Sequence, residues 1–170
     1  MSNDTIAGSG LEKMFYGQIL SILVIIPLVG WIAAIVGIVL FLVGLHEAAG
    51  ADEGYRTAFY VEIGILVLSV LAVFIGVLNI VTSILSLVVI YLVCTTTAGL
   101  LEVKGDLGTA ARGRFAWKFY GGCTALVVVC SILSLIPLVN ILAMVVIVPA
   151  SIASVVGGIL LLIFLYRACK

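Results

Sequence analysis

Glu62 is the one carboxylate inside a long apolar stretch, six residues after Arg56 and just past Phe59-Tyr60. In a helix it would lie roughly 9 Å deeper than Arg56. A carboxylate at that depth is costly and marks an ion or proton site unless it reaches back to water or a loop cation. The single histidine, His46, adjoins Glu47, and one imidazole with one carboxylate does not complete a metal shell. The four cysteines, Cys94, Cys123, Cys130 and Cys169, contain no C-x-x-C pair. Three of them sit in apolar runs and read as small hydrophobes. Cys169, beside Lys170, offers a thiol for an acyl chain.

Gly108 to Gly113 has the glycine spacing of a phosphate-binding loop. It is followed by Arg114-Phe115 where Lys and Ser or Thr are required, and no strand precedes it, so that chemistry is rejected. Arg112, Arg114 and Lys118, interleaved with Phe115 and Trp117, read instead as contacts for anionic lipid headgroups, or as plain topological anchors. A Ser-His-Asp set, paired carboxylates and a metal cluster are all missing from the sequence, so it predicts no catalytic residue, metal, cofactor or enzymatic activity. A formal net charge of zero gives no electrostatic footprint for nucleic acid.

The elements that would hold these residues follow from composition. Of the 170 residues, 65% are hydrophobic and 9% charged, too few charges to cover a water-soluble domain. Three stretches carry no charge: Met14 to Leu45, Ile63 to Leu101 and Phe119 to Tyr166. Each exceeds the ~20 residues that cross a hydrocarbon core. The fold class expected is therefore all-α, a polytopic integral membrane bundle forming a single transmembrane domain over residues 1–170. The first run is too long for the apolar core of a cleaved signal peptide.

The three runs share a grammar. Each opens on Phe-Tyr (15–16, 59–60, 119–120) and holds a breaker near its middle: Pro27-Leu28-Val29-Gly30, Gly76-Val77-Leu78-Asn79 and Pro137-Leu138-Val139-Asn140. Proline stops a helix, and glycine or asparagine closes one. This predicts six helices in three hairpins, at about 10–46, 57–101 and 115–168, with Asn79 and Asn140 in the turns. Ser9-Gly10-Leu11-Glu12 reads as a capping box near the start of the first helix. Polar loops are expected at about 47–56 and 102–118. All eight Lys and Arg residues then fall on one side, which the positive-inside rule makes cytoplasmic, with both termini, in a plasma or inner membrane. A five-helix alternative treats Met14 to Leu45 as one helix kinked at Pro27. Pro149 either kinks the last helix or sets Ile141 to Val148 apart.

Small residues form stripes that favour close helix packing: Gly30, Gly37 and Gly44 at heptad spacing, then Ser151, Ser154 and Gly158. The stretch Ile26-Pro27-Leu28-Val29-Gly30-Trp31-Ile32, followed by Gly37 and Leu42-Val43-Gly44-Leu45, resembles a family of small multi-pass prokaryotic membrane proteins carrying a domain of unknown function. Tyr55-Arg56-Thr57-Ala58-Phe59 is similar to the start of that family's next helix, so the likeness covers roughly the first 75 residues. The resemblance implies membrane residence and prokaryotic origin, and carries over no functional residue. Two functions stay open. One is a non-enzymatic accessory, assembly or homo-oligomeric membrane component, with the bilayer, a second copy or another membrane protein as partner. The other is a small transporter or channel subunit built around Glu62.

Overall fold

The computed structural model describes residues 3–22, 29–133 and 140–169. These form six helices: α1 (Asn3–Ile22), α2 (Val29–Ala48), α3 (Glu53–Ala72), α4 (Leu78–Val103), α5 (Leu107–Leu133) and α6 (Asn140–Ala168). The described residues are all-helical, with no strand. Among them, Glu53–Ala72, Leu78–Val103, Leu107–Leu133 and Val145–Ala168 are long and apolar enough to cross a membrane. α2 adds a shorter apolar stretch, Ile32–Ala48.

α1 packs chiefly on α2, α3 on α4 and α5 on α6, while α4 packs on α3 and α5 to the same extent. α2 also touches α3, and α6 returns to α1. The result is a closed ring. The two polar loops and the outer ends of α1 and α6 lie at one end of the ring, here the loop end; the apolar turn at residues 73–77 lies at the other, the turn end. The core is concentrated at the loop end, where Met14, Leu45, Tyr55, Cys94, Phe164 and Leu165 are buried. The outer faces are apolar instead, with Ile35, Val67, Ile84, Val129 and Val155 all exposed.

Hydroxyls are accommodated inside the helices by bonding backwards. Ser86 donates to the Thr82 carbonyl, Thr97 to Val93, Ser131 to Val127 and Ser154 to Ala150. Each bond supplies a donor with a partner inside its own helix, so an apolar helix carries the residue without a buried orphan.

Several expectations are corrected at the element ends. The stretch 102–118 is mostly helix, and the loop shrinks to Lys104-Gly105-Asp106. Gly105 has φ 85°, and the amides of Gly105 and Asp106 bond back to the Glu102 and Leu101 carbonyls. This is a Schellman closure. The Asp106 carboxylate then accepts the Thr109 amide at 3.0 Å and starts α5. The Thr109 hydroxyl and amide together hold the Asp106 carboxyl below the usual carboxylate range. The other polar loop is likewise shorter than 47–56: it is residues 49–52, with Asp52 capping α3 through the Gly54 amide at 2.7 Å.

Ser9 lies inside α1 and does not cap it; its hydroxyl donates across the hairpin to Glu47 at 3.0 Å. Asn79 is not in a turn but in the first turn of α4. The chain reverses over residues 73–77 with short-range backbone bonds such as Leu78 to Ile75 and Asn79 to Gly76, and needs no left-handed residue there. Residues 141–148 are continuous with α6, which carries Pro149 within it. The breakers Pro27-Leu28 and Pro137-Leu138-Val139 lie outside the described residues.

Candidate functional site

Glu62 is the tenth residue of α3, ~14 Å along a helix of ~30 Å and thus at mid-height of the ring. It lines a cavity of about 230 Å³ together with Gln18 of α1, Gly37 and Phe41 of α2, Ser86 of α4 and Tyr120 of α5. Five of the six helices therefore contribute to one space. At about 30 Å³ per water, that volume takes several waters or a small organic ammonium. Among the described residues, the Glu62 carboxylate makes no hydrogen bond or ion pair. Glu62 is half-buried, and no described loop cation pairs with it.

From the cavity toward the turn end, α4 and α5 each carry a polar stripe. On α4 the residues are Ser86, Ser83 and Asn79; on α5 they are Tyr120, Thr124 and Ser131. Intervals of three, four or seven residues keep each set on one helix face. Their lower members line a second cavity of about 150 Å³ between α4 and α5. There the Thr124 hydroxyl oxygen is buried with no hydrogen-bond partner among the described residues. Ser83, Ser86 and Ser131 donate their hydrogens to their own helices. What these hydroxyls offer the space is oxygen lone pairs, the chemistry of a cation path.

Toward the loop end the lining becomes mostly apolar. Phe41, Ile90, Val93, Leu161 and Leu165, with the Gln18 side chain, close around a void of only about 10 Å³. Val93, Leu161 and Leu165 are buried. The space around Glu62 is thus narrowed on this side by largely apolar side chains, with the Gln18 amide among them.

The remaining candidates are dispersed. Gly37 and Gly44 serve the first hairpin. A Cβ on Gly44 would lie 2.5 Å from the Gly10 carbonyl oxygen, and one on Gly17 would lie 2.7 Å from that of Gly37. Gly30 is buried on the same helix. Ser151 is exposed and bonds to the Ile147 carbonyl, and a Cβ on Gly158 would meet open space. It is Gly157 that seats the Tyr120 backbone and ring. Arg114 pairs with Glu102 at 2.7 Å, Trp117 packs edge-on against Tyr91 with centroids 4.9 Å apart, and Lys118 is exposed. Arg112 groups with Arg167, not with these three. His46 lies 5.1 Å from the Phe59 ring. The four cysteines are free, and no group of His, Cys, Asp and Glu among the described residues could hold a metal.

Sequence reasoning found Glu62 and missed what surrounds it. Gln18, the sole glutamine of the chain, was a usable signal, since an amide within an uncharged run needs a reason to be there. Ser86 and Tyr120 gave none, because their relevance depends on which helices meet. No family model matches the chain, nor does any curated protein or solved structure.

Proposed function

We propose that the chain is a six-span membrane protein that moves a small monovalent cation through its helix ring, with Glu62 as the binding carboxylate. The observation that carries this reading is a carboxylate without a protein partner, at mid-height, in a cavity lined by five helices. A buried carboxylate is stable when a cation or proton neutralises it, and the adjoining oxygen-rich stripes provide a route to and from it. The exposed aliphatic outer faces support bilayer residence. The clustering of the cations at the loop end supports a cytoplasmic placement of that end and of both termini, in a plasma or inner membrane. The accessory or homo-oligomer reading keeps the α6 residues Ser151 and Gly158, which face outward, but not the α2 glycines. Gly37 and Gly44, which suggested an intermolecular stripe, face Gly17 and Gly10 inside one hairpin.

The test is flux into proteoliposomes under gradients of H⁺, Na⁺, K⁺ and methylammonium. At least one should cross faster than in protein-free vesicles. Glu62→Gln should slow it by about tenfold or more, the effect of losing a charged partner, while Glu62→Asp retains part of the rate. Absence of flux for all four, or flux indifferent to Glu62→Gln, would refute the reading.

A further inference from the structure

At the loop end, Arg112 of α5 and Arg167 of α6 line one slot of about 80 Å³ between the two helices. The rest of its lining is apolar and includes Phe115, Leu160 and Ile163. Below it the Phe164 ring sits against Gly113, where a Cβ would come within 2.4 Å of the ring, so α5 and α6 close tightly beneath the two arginines. Neither guanidinium has a hydrogen bond or ion pair to a described residue. The neighbouring charges are occupied elsewhere: Arg114 holds Glu102, and Asp106, which feels the charge of Arg112, caps α5 through Thr109.

Two like charges at the mouth of an apolar slot repel each other unless an anion lies between them. The guanidinium fork matches phosphate oxygens, and paired arginines bind a phosphodiester far better than one alone. Whatever hangs from that phosphate meets aromatic and aliphatic walls, which suit a hydrocarbon chain and reject a sugar or a peptide. We infer that the slot is a binding site for one anionic phospholipid, its phosphate on Arg112 and Arg167 and the first methylenes of an acyl chain against Phe115, Leu160 and Ile163. The site requires residence in a bilayer and is independent of cation movement through the ring.

Native mass spectrometry of the delipidated protein tests it, with phosphatidylglycerol and phosphatidylcholine of identical chains as probes. Phosphatidylglycerol should form a one-to-one adduct at about tenfold lower concentration. Arg112→Gln and Arg167→Gln should each weaken that adduct, and the double variant should bind both lipids alike. Arg56→Gln, an exposed cation of α3 outside the slot, should leave the preference intact. Equal loss in Arg56→Gln would mean diffuse surface charge and overturn the site. So would binding of inorganic phosphate as tight as that of the lipid, because the chain would then contribute nothing. The single variants decide the matter if the double variant fails to fold. Proteoliposome flux is a separate readout, so failure of one proposal leaves the other standing.

Discussion

Tyr55 is fully buried, and its phenol lies 2.7 Å from the Thr97 hydroxyl oxygen. Thr97 has already given its hydrogen to the Val93 carbonyl at 2.6 Å, so the phenol must be the donor. This relay ties α3 to α4 at the loop end, and its direction makes the two partners unequal. Tyr55→Phe removes a donor and leaves Thr97 bonded to Val93; about 1 kcal/mol should be lost. Thr97→Val strands the buried phenol and should cost more, about 1–3 kcal/mol. The double variant should cost less than the sum. Denaturation of the three variants in mixed micelles measures the order, and equal losses would reverse the assigned donor. At this scale the sequence disclosed isolated oddities and little of their company. Glu62 stood out because a charge in an apolar run is rare, whereas Tyr55 and Thr97 are ordinary residues until two helices bring them together.

The helices themselves were more legible than their contacts. Uncharged runs with central breakers imply hairpins because a membrane-length helix can reverse only where its backbone bonds are interrupted, and six helices are present where three hairpins were expected. The segment 102–118 was misjudged because its charges suggested a solvated loop. Alanines, a glycine closure and an aspartate cap make it the start of α5, with Ala110, Gly113 and Ala116 buried on one face. The glycine heptad of α2 was visible, but its counterpart on α1, Gly10 and Gly17, went unnoticed, although the two sets interlock in antiparallel order. That interlock makes a sharp forecast. A methyl on Gly44 would press on the Gly10 carbonyl and the Met14 side chain and backbone, forcing α1 and α2 apart. Gly44→Ala should therefore lower stability by about 1–3 kcal/mol through overpacking, despite the better helix propensity of alanine. Gly158→Ala, on an open face of α6, should be neutral or slightly stabilising by the same thermal measurement in detergent.

Over the whole molecule, the ring is asymmetric along its axis. Among the described residues, large side chains fill the loop end, while hydroxyls and amides contribute to two separate cavities, one at Glu62 and one nearer the turn end. A permanently open channel would need polar lining on both sides, so a ring of this form can pass a cation only if the largely apolar plug parts. Ile90 sits at the boundary, lining both the cavity of Glu62 and the small void beyond it. Ile90→Ala removes three carbons there. Because Ile90 is half-buried, the change should cost no more than about 2 kcal/mol and leave a folded protein. The cation leak of reconstituted vesicles should rise, and the same truncation at the exposed Ile84 of α4 should not raise it. Adding Glu62→Gln to Ile90→Ala should bring the leak back down, because plug and carboxylate would then lie on one path. A leak that persists in the double variant would mean that the truncation loosens the bundle without opening its interior, and the cavity would be a pocket rather than a passage.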